Sequence, residues 1–388
     1  MWVQSQVLKK FRRPLYAIED IILSGKTRKD VLLVARHRIL YNYARELHEV
    51  LRAESGLRLW VCFPFPQYYQ AGEISRLKRA DGITTVPYAI ARFFRWDLIL
   101  FPGHGPGFRR DCRRIFTGHG LMAGKTVENS HYVFGYRSLR DQKISYDRIF
   151  CASDYVKSRV RKLYPRFHDH TRVVGDLFID QLAAGRGKNA ALLRARGLDP
   201  ARKTIMVVST WGPHSFAEQL GQAFLDKVPS LARQYNLVIA FHLLNFSKAS
   251  RIRDNWQELL RAVSTRRVCY LEPGENPFGL LAQADLLLTD NSNLGLYFPS
   301  LERPVIYYDN PAVEHAPLSL ARELSKIAHV ISDVSALETD IRTAFDNFDS
   351  SRMRALAMKI SSFPGYAAQR HREEILGTLH RAMTPGVN

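Results

Sequence analysis

No stretch of the 388-residue chain approaches the roughly 18 consecutive apolar residues that a membrane-spanning helix requires. The start of the chain, MWVQSQVLKKFRRPLYAIEDIILSGKTRKD, has neither a continuous apolar core nor a small-residue cleavage site, so it is not expected to be a secretory signal. Cysteine is scarce. Cys62, Cys112, Cys151 and Cys269 lie far apart with no CxxC pair, which argues against a disulfide framework or a zinc site and for reduced thiols in a cytoplasmic protein. Repeats and low-complexity tracts are absent. The Walker-like stretch HGLMAGKT is a decoy, because His119 stands where the motif needs glycine, and no acidic strand end for magnesium follows. His168-Asp169-His170 cannot readily share one metal from adjacent loop positions, and no third ligand is spaced sensibly.

Acidic residues are also in short supply: 37 Asp and Glu face 56 Lys and Arg, a net charge of +19. Such an excess implies an anionic partner, whether nucleic acid, acidic lipid headgroups or a phosphate-rich substrate. Residues 1–40 carry nine Lys/Arg against three acids, with Trp2, Val3, Val7, Leu8, Phe11 and Leu15 interleaved. That composition suits an amphipathic segment on an acidic membrane surface. It equally suits a basic terminus that only keeps the protein soluble. Hydrophobic content of 46% and charged content of 24% are those of a globular protein long enough for two cores.

The apolar pattern alternates between short runs and helical spacing. Asp30–Ala35, Leu57–Phe63, Ile83–Tyr88, Leu98–Phe101, Arg114–Thr117, Asp147–Ser153 and Thr171–Val174 read as strands, with helices at His37–Arg52 and Tyr155–Tyr164 among them. Residues 183–203 are rich in Ala, Gly and Arg without strand signal, and a boundary is placed at their start, giving domains 1–182 and 183–388. Strands at Thr204–Ser209, Leu237–His242, Val268–Leu271, Leu286–Leu288 and Val305–Tyr308 follow, with helices between them and four more from about Leu318 to Met383. The predicted class is α/β: two Rossmann-like, doubly wound parallel-sheet lobes facing a cleft, with C-terminal closing helices.

In such sheets ligands sit beyond the carboxyl ends of the strands, so polar strand ends are the places to look. Residues 286–309 place Asp290, Asn291, Ser292 and Asn293 between a strand and a helix expected at about Leu294–Leu301. All four are good N-cap residues, and a helix start with outward N–H groups binds anions, phosphate above all. An ordinary capped helix would have the same sequence. Thr117-Gly118-His119-Gly120 presents an imidazole between glycines after another strand, suited to taking a proton from a hydroxyl. Ser209-Thr210-Trp211-Gly212 and His242 end two more, and Lys125 could meet a substrate phosphate.

Read together, these pieces resemble the CDP-glycerol glycerophosphotransferase family, the teichoic-acid primases and polymerases. The family's Trp-His-Gly after a strand is matched by Gly118-His119-Gly120, its Gly-x-Pro-Arg-Asn-Asp turn by Gly175 and Asp180, and its Pro-Thr-Trp strand end by Ser209-Thr210-Trp211. Its His-Pro is Phe241-His242-Leu243, and its Thr-Asp-Tyr-Ser-Ser turn with Arg-Pro is Thr289-Asp290-Asn291-Ser292-Asn293 with Arg303-Pro304. The likeness spans roughly residues 110–310 and departs at Gly118, Asn291, Asn293 and the lost Pro-Arg.

The resemblance implies a GT-B fold, His119 and His242 as catalytic residues, and Thr210, Trp211, Asp290, Asn291, Ser292 and Asn293 on the donor. Lys125 and Arg303 would be further phosphate contacts. The expected activity is transfer of a glycerophosphate-like group from a CDP-activated donor to a hydroxyl of a lipid-linked or polymeric envelope acceptor. The expected place is the inner face of the bacterial cell membrane, on its acidic surface. No metal or cofactor is required by the sequence, because a helix N-terminus and an imidazole can share the charge. A UDP-sugar glycosyltransferase or 2-epimerase of capsule or envelope biosynthesis stays open, as does a non-catalytic nucleic-acid or membrane-binding protein.

Overall fold

The computed structural model describes residues 27–380, apart from 104, 110, 119–120, 122–124, 128–129, 133–145, 164, 186, 188, 247–255 and 316–317. Two six-stranded parallel sheets and one two-stranded hairpin make up its β-structure. The first sheet comprises β1 (Lys29–Val34), β2 (Leu57–Cys62), β3 (Leu98–Phe101), β4 (Arg114–Phe116), β7 (Arg148–Cys151) and β8 (Thr171–Val173), in the order β2-β1-β3-β4-β7-β8. The hairpin β5 (Lys125–Val127) and β6 (Ser130–Tyr132) had no signal at the sequence level. The second sheet holds β9 (Thr204–Ser209), β10 (Asn236–Phe241), β11 (Val268–Tyr270), β12 (Leu286–Thr289), β13 (Val305–Tyr308) and β14 (His329–Ile331), ordered β11-β10-β9-β12-β13-β14. The chain divides into one compact unit of residues 1–117, 146–148 and 375–388, and another of residues 118–145 and 149–374.

Strand identity follows from burial on both faces. Val31 to Val34 in β1 and all six residues of β9 are buried, which is why these runs are continuously apolar instead of alternating. The helix Arg38–Leu51 lays Leu40, Ala44, Leu47 and Leu51 against the first sheet at helical spacing. Under the second sheet, Ile205 and Val207 of β9 join Ile239, Leu288, Ile306 and the helix residues Phe216, Phe224 and Trp256 in one core.

Two expectations need correction. Ile83–Tyr88 is not a strand: Thr85 makes a single parallel bridge to Val61, and Pro87 then opens the short helix Tyr88–Ala91. Proline has no N–H to extend the ladder, so the β-branched run stops after one bridge. The edge strand β14 was missed because three residues, HVI, carry too little periodicity to stand out.

Candidate functional site

The carboxyl ends of β10, β9 and β12 finish level with one another. Ser209 pairs with Phe241, and Val208 with Thr289. One rim therefore receives Thr210 and Trp211 from β9, His242 from β10, and Asp290 to Asn293 from β12.

Asp290 organises this rim from within. It is only 3% exposed. Its Oδ2 accepts from the Ser209 hydroxyl (2.8 Å), Phe216 N–H (2.9 Å) and Thr210 N–H (3.1 Å), while Oδ1 accepts from Thr210 N–H at 2.8 Å. Phe216 opens the 19-residue helix Phe216–Gln234. Ala217 N–H donates to Ser209 Oγ at 3.0 Å, and Glu218 N–H to the N-cap Ser215 Oγ at 3.3 Å. The first three amides of the longest helix in this unit are thus occupied by protein oxygens, one of them a carboxylate that already complements the helix dipole. Asp290, expected at the donor, instead faces inward as a clasp between β12, the β9 turn and this helix.

The segment Leu294–Leu301 is helical where expected, but it is a 3₁₀-helix. Gly295 N–H bonds Ser292 O and Leu296 N–H bonds Asn293 O, both at 3.1 Å and both over three residues. Asn293 adopts helical φ/ψ and makes no side-chain cap; Ser292 Oγ accepts from Leu294 N–H at 3.3 Å. Gly295 is required here. A Cβ on it would lie 2.7 Å from Thr289 Oγ1 and 3.0 Å from Thr289 Cγ2, so only glycine lets the helix settle onto the end of β12. Asn291 and Ser292 are buried while Asn293 is exposed. The Asn291 amide oxygen is buried without a hydrogen-bond partner, as is that of Asn245. A buried polar atom left unpaired costs on the order of 1–3 kcal/mol, which a ligand group offering an N–H or O–H would recover.

His242 is fixed by its own turn. Its N–H donates to Ser209 O (3.1 Å), and its Nδ1 accepts from Leu244 N–H (3.2 Å). With Nδ1 serving as acceptor, the neutral ring carries its proton on Nε2 and presents a donor there. The ring lies 6.3 Å from Trp211, tilted by 39°, and Trp211 is 39% exposed, an unusual position for an indole without a ligand to cover it. Asn245, which sequence reasoning missed, braces the same turn: its Nδ2 donates to Thr210 O at 3.1 Å. Its only sequence signal was a polar residue three positions past His242.

Arg303 bonds backbone carbonyls. Its Nη1 donates to Ala282 O (2.9 Å) and Ala284 O (2.6 Å), tying the start of β13 to the helix Phe278–Leu281 and the chain entering β12. The expected phosphate contact is engaged as a backbone clamp. Lys125 lies in β5, but its side chain and His119 fall outside the described residues. Thr117, two residues before His119, has a buried Oγ1 with no partner. His168 Nδ1 and Asp169 Oδ1 lie 3.1 Å apart within a 3₁₀ turn.

A further element packs behind the 3₁₀-helix. Asp176 caps the helix Leu177–Ala184 by accepting from Phe178 N–H (2.9 Å) and Ile179 N–H (3.2 Å), and the Tyr297 hydroxyl donates to its other oxygen at 3.4 Å. Burial pushes this carboxyl up to about 6. Phe178 stacks on Phe278 with centroids 4.1 Å apart, and Phe278 meets Tyr297 edge-on at 4.8 Å.

No family model matches the chain, and no curated protein is significantly similar to it in sequence. Solved structures match it in fold. The wall teichoic acid polymerase TagF superposes with a TM-score of 0.66 at 13% identity, covering 96% of this chain and 98% of that chain. A co-structure of S. aureus MnaA with UDP gives 0.56 at 14% identity over 90% and 97%, and a UDP-N-acetylglucosamine 2-epimerase gives 0.55 at 14% over 92% and 99%. With its two six-stranded parallel sheets, the chain has the GT-B fold that these structures share.

Proposed function

We propose that the chain is a nucleotide-diphosphate-dependent transferase, moving a glycerophosphate-like group from a CDP-activated donor to a hydroxyl of a lipid-linked or polymeric envelope acceptor. The observation that carries this reading is the convergence of Thr210, Trp211, His242 and the Asn291–Asn293 turn on three adjacent strand ends, with Asp290 bracing them from inside. In this reading the indole of Trp211 covers part of the nucleotide. The Nε2–H of His242 and the turn at Ser292 hold the diphosphate. His119 takes the proton of the acceptor hydroxyl as its oxygen forms a bond to the donor's terminal phosphorus. The phosphorus–oxygen bond to the nucleotide breaks, and His242 donates to the departing phosphate. The likeness to TagF, one structure of which was soaked with CDPG, supports CDP; the likeness to MnaA with UDP supports a second reading, a UDP-sugar enzyme on the same rim.

Thermal-shift titration with CDP, UDP, GDP and CMP separates the two. A cytidine-selective shift that Trp211→Ala lowers about tenfold in affinity is expected, that being the scale of one lost stacking contact. A response to UDP alone overturns the CDP reading, and no response to any nucleotide overturns both. His119→Ala is expected to abolish turnover with nucleotide affinity unchanged; near-normal turnover would remove His119 as the base.

A further inference from the structure

From Leu59 to Ser75 the sequence LWVCFPFPQYYQAGEIS contains no Lys or Arg, in a chain where 56 of 388 residues are basic. Its first part lies in β2, and the rest leaves the carboxyl end of that strand, level with the end of β1 through the pairing of Cys62 with Val34. The loop is held rigidly. Pro64 and Pro66 fix φ on either side of Phe65, and a 3₁₀ turn closes with Tyr68 N–H to Phe65 O and Tyr69 N–H to Pro66 O, both at 3.0 Å. Beneath it the buried Tyr69 meets Phe63 edge-on at 5.2 Å, and its hydroxyl donates to Ala35 O at 3.1 Å. This anchoring turns Tyr68 outward: it is 57% exposed, with its ring tilted by 52° against Phe65 at 5.7 Å.

Amides flank the ring. Gln67 and Gln70 are exposed, and among the described residues neither their side chains nor the Tyr68 hydroxyl meets a hydrogen-bond partner. The nearby charges lie against other groups: Glu73 accepts from Gln70 N–H at 2.8 Å and pairs with Arg38 at 3.5 Å, and the Arg36 guanidinium lies 5.3 Å from the Phe65 ring centroid. A rigid aromatic face beside uncharged planar amides matches a ring that is apolar on its C–H face and rich in hydroxyls at its edge. The electron-rich face of the phenol attracts the slightly positive C–H groups, and each amide offers a donor and an acceptor to the hydroxyls. A phosphate or an acidic headgroup finds no such match, because the loop itself carries no cation.

We propose that Tyr68, with Gln67 and Gln70, forms a subsite for a neutral pyranose sugar. Sheet order puts β2 three positions from β4, so at a strand spacing of about 4.8 Å the subsite lies roughly 14 Å along the rim from Thr117. A sugar-bearing ligand is thus held at the outer end of the first sheet, by a part remote from the Thr117–Gly120 turn. A nucleotide is the less suitable occupant, since stacking its base on Tyr68 would bring its phosphates to a loop without Lys or Arg. The subsite does not depend on the donor reading.

The test is saturation-transfer NMR on the full chain with the methyl pyranosides of glucose, galactose and N-acetylglucosamine, with glycerol 3-phosphate as a charged competitor that has no ring. Transfer to the C–H protons of at least one pyranoside is expected, undiminished by excess glycerol 3-phosphate. Tyr68→Leu is expected to lower affinity about tenfold, the scale of one lost aromatic contact, while Tyr68→Phe keeps most of it. Gln67→Ala with Gln70→Ala is expected to lower it on the order of tenfold through lost hydrogen bonds. Melting temperature and nucleotide affinity should stay unchanged in these variants of exposed residues, so a failure of the donor reading leaves the sugar result intact. The proposal fails if no pyranoside shows transfer, or if Tyr68→Leu binds sugar as the wild type does. It also fails if glycerol 3-phosphate displaces the sugar, which would make the loop a polyol-phosphate site. A Tyr68→Leu change confined to oligomeric state would overturn it too, making the ring a contact between copies.

Discussion

Replacing Asp290 by asparagine separates a clasp from a ligand contact. The carboxylate accepts from Ser209 Oγ, Thr210 N–H and Phe216 N–H, and every one of these partners is a donor. An amide must turn one NH2 toward a donor. The least costly orientation gives up Oδ1, which faces only Thr210 N–H, and keeps the two Oδ2 bonds to Ser209 and Phe216. Losing one hydrogen bond to a charged acceptor costs roughly 1.5–3 kcal/mol, and removing the charge from the start of the helix Phe216–Gln234 adds about 0.3–1. Together these predict a loss of about 2–4 kcal/mol. At about 2–4 °C per kcal/mol for a unit of this size, the unfolding midpoint falls by roughly 4–16 °C. Calorimetry on the unliganded protein reads this directly, and isothermal titration reads nucleotide affinity in parallel. An Asp290→Asn protein as stable as the wild type but unable to bind nucleotide would refute the clasp and return Asp290 to the ligand.

Two further perturbations follow from the same structure. Gly295→Ala places a methyl 2.7 Å from Thr289 Oγ1, so the 3₁₀-helix must lift off β12; nucleotide affinity should drop, with a stability loss of about 1–3 kcal/mol, and unchanged affinity would mean the turn takes no part in binding. His371 is buried, its Nδ1–H donating to Ala367 O at 2.8 Å, and burial lowers its pKa from 6.5 to about 4. The unfolded chain therefore binds the extra proton first, so stability is full above pH 6.5 and falls as pH drops toward 4, by up to about 3 kcal/mol. Urea midpoints across that range should fall less steeply in His371→Gln, and identical slopes would dismiss the histidine as the cause.

Much of the second sheet was legible because its strands are buried on both faces and bounded by polar turns. TIMVVS and VIYY occupy the strand limits read from the sequence. The convergence of Thr210, His242 and Ser292 on one rim was equally legible, since parallel strands send their polar ends the same way. The direction of individual side chains was not. Asp290 looks like a helix-start ligand in sequence, and only the register of β9 against β12 reveals three donors waiting behind it. Arg303 likewise reads as a phosphate contact until the carbonyls of Ala282 and Ala284 come within reach. The three-residue edge strand β14 depends on a neighbour far away in sequence, and local pattern cannot report that.

The end of β8 and its following helix are completed by residues that the ribosome makes much later. Asp180 accepts from Gly365 and Ala367 N–H, Ser153 Oγ donates to Lys359 O, and Phe150 meets His371 edge-on. The partners of Asp180 lie 185 and 187 positions downstream. At a synthesis rate of about 5–20 residues per second, Asp180 waits on the order of 10–40 s for them. During that interval the β7–β8 edge stays unsealed, and the nascent chain carries an exposed apolar seam that a holdase could cover. The last helices act as a delayed latch, and their arrival sets the earliest moment at which the β7–β8 region can be finished.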